Sequence, residues 1–422
     1  MPLVFRKRKR DMSFRRRGDG LSVVSAIQTD NGLGVVSEVL ATLHTAQLPP
    51  VAKQEGLQIA FTLLNDLLGE ATYIEDPLPH VYNENRGRGL DTFDDEVCYR
   101  ELRFGKGEII ELLTELDFPP AFVMGNGLNV SSESAFLFFL YRIHYPSTLA
   151  MMQSMWGFDY SALSRIFTFM VETLYESHSH CVLNNFRYYR LRLDVYNQKI
   201  KDKCASTNRN PNVGTVPANL YHDCGYLDGT AHYICRPFDG VGDVRNVQNL
   251  FYNRHKRRHI MNWLGFAFPD GMMALDGPFP GYFTDSMSWT ASTAGRIIGM
   301  EMNRRVRDGM PRLFFRADKI FNDGANVRAM WSRRRGDLQP WMIEENAIAS
   351  SGRACVELNF GVNTQRSKFI RTPFTQKARE SPLTKQYVLA TLMTNCKTCM
   401  AGNVTTSMFG LEPPTLQSYL SQ

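Results

Sequence analysis

The stretch GYLDGTAHYI, from Gly225 to Ile234, decides how the second half of this chain is interpreted. Asp-Gly between apolar residues is a strong signal for a hairpin turn, so Asp228 belongs either to a turn or to a strand. The apolar arm before it, CGYL, is short. Alternation instead places Asp228, Thr230 and His232 on one face of a strand. The sequence therefore predicts a strand that carries a carboxylate.

The segments after this strand follow an order that is typical of one α/β architecture. HIMNWLGFAFPDGMMAL predicts a hairpin, followed by the turn GYFTDS with Asp285 and then a helix. The short strand RLFFRAD ends in Asp318, and a later helix carries Glu357. This order matches a ribonuclease-H-like domain, an α/β fold with a mixed five-stranded sheet and flanking helices. Its first and fourth strands are neighbours, so Asp228 and Asp318 are expected to meet.

Acids gathered in this way favour a divalent metal ion. Two carboxylates about 4 Å apart repel by roughly 4 kcal/mol at an effective dielectric constant of about 20, and oxygen ligands favour Mg²⁺ or Mn²⁺. Two such ions can activate a water and stabilise the leaving oxygen of a phosphodiester. Each acid also has a structural alternative. Asp285 could cap a helix, Asp318 could end a strand, and Glu357 could pair with Arg353.

Positive charge is concentrated in two segments. Residues 1–17 hold eight Lys and Arg and one acid, whereas the whole chain has a net charge of +6. This run predicts nuclear import or phosphate contact, or else a solvated tail. Its cations are Arg6, Lys7, Arg8, Lys9, Arg10, Arg15, Arg16 and Arg17. The second run, NRHKRRH, follows the first strand and holds Arg254, Lys256, Arg257 and Arg258. We expect these four to neutralise DNA phosphates, each adding about 0.9 to the slope of log affinity for duplex DNA against log salt concentration. A solvated loop is the alternative.

Residues 131–177 predict a helix-turn-helix-like unit. One helix begins at Ser131 or Ser132, the next at Pro146, and Asp159 caps a third. In such units the start of the last helix enters the major groove. The candidate DNA contacts are Ser161, Ser164 and Arg165. A three-helix bundle without a ligand is the alternative.

The remaining sequence features predict how the chain is divided into segments. The expected segments are a basic disordered tail (1–20), an α-helical region (21–199), a linker (200–220), the ribonuclease-H-like domain (221–410) and a C-terminal tail (411–422). No apolar run approaches the roughly 18 residues of a membrane span, and basic residues replace the apolar core of a signal peptide. We expect a soluble, non-secreted protein without a membrane partner.

The eight cysteines are scattered along the chain, which fits reduced thiols. One pair, Cys396 and Cys399 in CKTC, has metal-ligand spacing, and HSHC (178–181) could add ligands. CKTC follows an apolar-faced helical pattern, however. The sequence therefore favours buried thiols over a zinc site.

The chain resembles the PIF/Harbinger superfamily of transposases and their domesticated nuclease relatives over roughly residues 96–405. The family's strand motif is present as GYLDGTAHY, and its basic segment, loosely, as QNLFYNRHKRRH. The hairpin and the run after it appear as PDGMMALDGPFPGYFTDS, and the helical box appears as RACVELNFG. The second box, DKIFNDG, departs from the family pattern because it lacks an early glycine. Asp323 is therefore a rival to Asp318.

This resemblance implies a metal-dependent DNA endonuclease and strand-transferase. The family's catalytic acids correspond to Asp228, Asp318 and Glu357, holding Mg²⁺ or Mn²⁺, with Asp285 as a further metal ligand. The implied partners are transposon terminal repeats, target DNA and a Myb/SANT-like DNA-binding protein, in the nucleus; a homodimer is left open. A catalytically silent DNA-binding or scaffold protein and a ribonuclease for RNA–DNA hybrids are the alternatives.

Overall fold

A computed structural model describes residues 87–125, 127–206, 222–237, 244–321, 325–332, 336–378 and 381–422. The helices there are α1 (Asp95–Leu102), α2 (Lys106–Glu115), α3 (Ser132–His144), α4 (Leu149–Trp156), α5 (Tyr160–His178), α6 (Phe186–Tyr189), α7 (Leu193–Ser206), α8 (Val244–Phe251), α9 (Asp285–Thr290), α10 (Thr293–Arg307), α11 (Pro340–Arg366), α12 (Lys368–Arg371), α13 (Leu383–Ala401), α14 (Val404–Phe409) and α15 (Leu416–Leu420). The strands are β1 (Ala121–Val123), β2 (Asn129–Ser131), β3 (Asp223–Tyr233), β4 (Tyr252–Asn253), β5 (Arg258–Ala267), β6 (Met273–Phe279), β7 (Phe314–Ala317) and β8 (Val327–Ala329).

Two of the predicted helix starts in the helical region are confirmed. The Ser131 hydroxyl accepts a hydrogen bond from the backbone N–H of Ser134 at 3.2 Å, which begins α3. The Asp159 carboxylate accepts from the N–H of Ala162 at 2.9 Å, which begins α5. Both side chains satisfy donors that the first turn of a helix leaves unpaired.

The predicted helix start at Pro146 is wrong. α4 begins at Leu149, because the Thr148 hydroxyl accepts from the N–H of Met151 and proline has no side-chain acceptor to act as a cap. The turn between α4 and α5 is closed by Gly157, which has a φ of +71°. Helix, short turn and longer helix give the predicted outline, and α5 packs on α3, α4 and α13.

Five strands form a mixed sheet in the order β6-β5-β3-β7-β8, and the short β4 pairs with the start of β5. β3, β5 and β6 are antiparallel, whereas β3, β7 and β8 are parallel. β3 is thus a central strand with a partner on each side. Asp228 pairs with Gly265 of β5 and is not in a turn. The predicted strand, the hairpin closed at Gly271 and the α/β class with flanking helices are confirmed.

Helices cover both faces of this sheet. On one face, Tyr387 of α13 stacks against Trp263 of β5 at 5.1 Å, and α11 packs on β3 and β5. On the other face, Phe186 of α6 and Trp289 of α9 contact Phe266 of β5 at 4.8 and 6.5 Å. The sheet therefore forms the middle of three layers.

A buried charged network joins the central strands to the longest helix. Arg316 of β7 donates to Asp223 of β3 at 2.8 Å and to Glu345 of α11 at 2.9 Å. All three side chains are almost fully buried. Buried charges persist only when they are paired and hydrogen-bonded, so this network fixes α11 relative to β3 and β7.

The predicted segment boundaries differ from the structure in two places. α7 continues to Ser206, so residues 200–206 of the predicted linker are helical, and 207–220 lie outside the described residues. Residues 411–422 are not a tail, because they include α15, in which Tyr419 is fully buried and donates to the Cys181 carbonyl at 3.2 Å. One hydrophobic cluster runs from Phe93 to Leu420. The basic tail and residues 21–86 also lie outside the described part.

None of the described helices combines the length and apolar character that crossing a bilayer requires.

Candidate active site

Two acids lie at neighbouring positions of the parallel pair β3 and β7. Leu227 of β3 is the register partner of Ala317 of β7. Asp228 and Asp318 follow these partners directly, at the carboxyl ends of the paired segments. Asp318 leaves the strand into a turn, and its carboxylate accepts from the N–H of Lys319 at 2.7 Å. The structure therefore places Asp228 and Asp318 at adjacent positions of neighbouring strands, and Asp318 contributes to the raised pKa of Asp228. Asp323 lies outside the described residues.

Asp285 approaches β3 from the opposite face. It is the first residue of α9, and the helix cap is Thr284, whose hydroxyl accepts from Met287; the alternative of Asp285 as a cap is wrong. A Cβ added to Gly229 would overlap the Asp285 carboxylate. Because successive side chains point to opposite faces of a strand, Asp285 lies on the other side of β3 from the Asp228 side chain. Only a glycine at position 229 allows this approach.

Arg353 connects Asp228 with Glu357. Its two terminal nitrogens donate to Asp228 Oδ2 and to Glu357 Oε1, each at 3.1 Å. The Glu357 side chain is 64% exposed, whereas those of Arg353 and Asp228 are 17% and 20% exposed. The alternative that Glu357 pairs with Arg353 is thus realised. The same guanidinium also binds the strand acid, so Asp228 meets two residues of α11 that follow it by more than 120 positions.

The electrostatics of Asp228 set it apart from ordinary surface carboxylates. The pKa of Asp228 is raised to about 6, chiefly by burial; Arg353 and the N–H of Gly229 lower it, while Asp285 and Asp318 add smaller increases. Burial and Asp318 also raise the pKa of Asp285, and Lys256 lowers it. Acids with perturbed pKa values in one place are characteristic of functional sites.

The donor set suits a hard divalent cation. Carboxylate oxygens are the ligands that Mg²⁺ and Mn²⁺ prefer, and a cation would relieve the repulsion that raises the pKa of Asp228. The described residues nevertheless contain no group of three or more His, Cys, Asp or Glu side chains that could hold a metal ion as they stand. The reason lies in the geometry already given. Asp285 is on the far face of β3, and the Arg353 guanidinium lies between Asp228 and Glu357.

The basic run after the first strand forms a tight turn beside these acids. β4 and β5 pair through Asn253 and Arg258, and the turn between them contains Arg257 with a φ of +52°. Arg254, Lys256, Arg257 and Arg258 are all exposed. Since Lys256 lowers the pKa of Asp285, the turn is close to that acid. Its contact with DNA stays a prediction.

The other predicted sites lie away from the acids. At the start of α5, Arg165 donates to the Ser161 hydroxyl at 2.9 Å, and Ser164 is exposed. Their contact with DNA is also still a prediction. CKTC lies in the predicted helix, now α13, with Cys396 fully buried and Cys399 partly buried. The cations of the tail lie outside the described residues.

Sequence reasoning missed two features of this site. Arg353 was expected only as an i,i+4 partner of Glu357, although it also binds Asp228. The proximity of Lys256 to Asp285 was not expected at all. The available signal was the position of this arginine four residues before Glu357 in the same predicted helix.

Comparisons of the chain with protein-family models, curated proteins and solved structures returned no match.

Proposed function

We propose that this protein is a metal-dependent DNA endonuclease and strand-transferase of the PIF/Harbinger transposase type, with a ribonuclease-H-like domain. The observation that supports it most is the placement of Asp228 and Asp318 after register partners of two parallel strands. The strand order 3-2-1-4-5, counted within the sheet, is the order expected of such a domain. Glu357 reaches the same place through Arg353.

In this proposal Asp228, Asp318 and Glu357 hold Mg²⁺ or Mn²⁺. The bound ion would lower the pKa of a water and stabilise the leaving oxygen of a phosphodiester. Asp285, which the resemblance implies as a further ligand, lies on the other face of β3 and adds negative charge near Asp228. The exposed cations of the β4–β5 turn hold the DNA backbone against the acids. Arg353 neutralises Asp228 and Glu357 when they have no other cation.

The test is nicking of supercoiled plasmid DNA by the full chain, in Mg²⁺ and in Mn²⁺. Asp228→Asn, Asp318→Asn and Glu357→Gln should each slow nicking by at least the roughly 100-fold that loss of an outer partner of a metal site can cost. Glu111→Gln removes an exposed carboxylate of α2 and serves as the matched control. Nicking that survives Asp228→Asn would remove Asp228 from the mechanism.

A second candidate is a DNA-binding or scaffold protein that has kept the fold without the reaction. The observation that favours it is the Arg353 bridge, which satisfies Asp228 and Glu357 without a metal ion. Plasmid binding without nicking in either metal ion, unchanged by Asp318→Ala, would establish this second function.

The nuclear location and the Myb/SANT-like partner belong to the same proposal. They rest on the resemblance and on the basic run in residues 1–17. A fluorescent fusion of the full chain should accumulate in nuclei, and one lacking residues 1–17 should not. Equal distribution of the two fusions would show that the basic run does not direct import, and would leave phosphate contact or a solvated tail as the alternatives.

A further inference from the structure

A second group of cations gathers where four elements meet. Arg103 follows α1, Tyr145 follows α3, Arg366 ends α11 and Lys368 begins α12; we call these four residues the Tyr145 cluster. The Arg103 guanidinium carbon is 5.5 Å from the centre of the Tyr145 ring, and Lys368 Nζ is 6.0 Å from it. α1 and α12 both pack against α3. Burial lowers the pKa of Arg366, and Arg103 lowers it further, so these two cations are also close.

Within the described part of the chain, Arg103, Arg366 and Lys368 form no ion pair with a carboxylate. Glu108 raises the pKa of Arg366 and so offsets part of this charge. That acid is also engaged by Lys397 and by the N–H of Gly105. Like charges repel unless something compensates them. Three cations from distant parts of the sequence are therefore held together at an energetic cost.

Buried polar atoms beneath the cluster also have no partner in the described residues. His144, which is 2% exposed, uses neither ring nitrogen in a hydrogen bond, and the Ser367 hydroxyl and Arg103 Nε are likewise unpaired. Most buried polar groups in proteins are hydrogen-bonded, so unpaired ones call for an explanation such as an ordered water or a bound ion. Cations and unpaired polar groups together indicate an anion site.

The position of the cluster indicates which anion. Arg366 lies nine residues after Glu357 in α11, which is roughly 14 Å along the helix axis and about half a turn around it. That length corresponds to about four base pairs of duplex DNA. α12 also contacts β3, and His232 of β3 is on the same strand face as Asp228. The cluster therefore lies on the same side of the sheet as the Asp228 side chain.

We propose that the Tyr145 cluster binds the phosphate backbone of the nucleic acid whose scissile bond reaches Asp228. Arg103, Arg366 and Lys368 contact successive phosphates, and the Tyr145 ring packs against a sugar or base. The proposal rests on the proposed function only for the position of the scissile bond. Binding itself is measured without cleavage.

The experiment is fluorescence anisotropy of the full chain with a labelled duplex oligonucleotide, over a salt series in EDTA. Arg103→Gln, Arg366→Gln and Lys368→Gln combined should lower the slope of log affinity against log salt by roughly 2 to 3, since each phosphate contact contributes about 0.9. Lys368→Gln alone changes an exposed residue without affecting folding, and should lower the slope by about 0.9.

The matched control removes three exposed cations elsewhere, Arg190, Arg304 and Arg307, as glutamines, and should leave the slope within error of wild type. An unchanged slope in both cluster variants would overturn the proposal, as would a wild-type chain that does not bind the duplex. Binding to phosphatidylserine vesicles that the cluster variants abolish, with DNA binding intact, would instead assign the cluster to a membrane surface.

The outcome is separable from that of the nuclease proposal. Nicking with an unchanged salt slope would reject the cluster and keep the nuclease. A reduced slope without nicking would keep the cluster and support the DNA-binding alternative.

Discussion

At the scale of single residues, Asp228 shows what the sequence can and cannot specify. Alternation along GYLDGTAHY placed its side chain on one strand face, because a strand has a fixed two-residue period. That Arg353 would bind it could not be predicted, since the contact joins residues 125 positions apart. Such a contact depends on how α11 is seated on the sheet, which no local pattern encodes.

The Asp228→Asn variant should be more stable than wild type at neutral pH. The pKa of Asp228 is raised in the folded state from 3.8 to about 6, so between about pH 4 and pH 6 the folded protein binds a proton more tightly than the unfolded chain. The free energy of unfolding therefore falls as pH rises through this window. Asparagine stays neutral. The Asp228→Asn variant should therefore have a free energy of unfolding up to about 3 kcal/mol higher than wild type above pH 6, and little higher below pH 4.

Urea unfolding in EDTA at pH 4 and pH 7.5 measures this difference. Asp202→Asn, at an exposed aspartate of α7, is the control and should change stability little at either pH. An Asp228→Asn protein that is less stable than wild type at pH 7.5 would contradict a buried Asp228 carboxylate with a raised pKa.

The Arg353→Gln variant should separate charge balance from metal affinity. Loss of the guanidinium leaves Asp228 uncompensated, and we expect a loss of about 1–3 kcal/mol, below the 3–5 kcal/mol of a fully buried pair. A divalent ion then meets no competing cation. Mn²⁺ should therefore raise the melting temperature of Arg353→Gln more than that of wild type, as seen by differential scanning fluorimetry.

Arg304→Gln, which breaks an exposed pair in α10, is the control for Arg353→Gln. It should respond to Mn²⁺ as wild type does. An equal Mn²⁺ response in Arg353→Gln and wild type would show that Arg353 does not compete with a metal ion.

At the scale of elements, local signals located most segments, while their ends depended on contacts. The strand RLFFRAD, the Asp-Gly hairpin and the helix with Glu357 are all present. α11 is longer than its sequence pattern, however, because it runs from Pro340 to Arg366 across the sheet. α11 packs closely on β3 at Gly352, where a Cβ would overlap the hydroxyl of Tyr226. A glycine inside a helix is usually unfavourable, so packing explains this one.

Two glycines of α11 provide a matched pair of substitutions. Gly352→Ala should destabilise the protein by about 1–3 kcal/mol, because the added methyl forces Tyr226 or the helix to move. Gly361→Ala, with nothing within 4 Å of the new Cβ, should stabilise it by up to about 1 kcal/mol through helix propensity. Urea unfolding compares the two. Similar effects from both substitutions would mean that α11 does not pack closely against Tyr226 at Gly352.

At the scale of the whole molecule, the helical region and the sheet share one core. The sequence suggested a linker at 200–220 and a tail at 411–422, because polar and proline-rich composition is typical of both. Composition does not reveal that α13 packs on α5, or that α15 returns to cover residues near Cys181. Contacts of this kind join segments more than 200 residues apart, and only the folded chain specifies them.

Tyr419→Ala should destabilise both regions together. Tyr419 is fully buried, and its hydroxyl also accepts from Asn395 at 2.8 Å, so we expect a loss of about 3–5 kcal/mol. Tyr160→Ala, at a residue that is 63% exposed, should cost far less. Hydrogen exchange should show equal loss of protection in α3 and β5 of the Tyr419→Ala protein. Loss confined to one of them would indicate two independently folding domains.

The Asp223–Arg316–Glu345 network has a consequence for where α11 can dock. A partly docked α11 would leave Glu345 in water and one guanidinium nitrogen of the buried Arg316 without its acceptor, and a buried donor without a partner costs about 1–3 kcal/mol. Positions of the helix shifted by one turn are therefore disfavoured. The contacts that dock α11 also set the position of Glu357 beside Arg353 and Asp228, with no need for a nucleic acid or a metal ion.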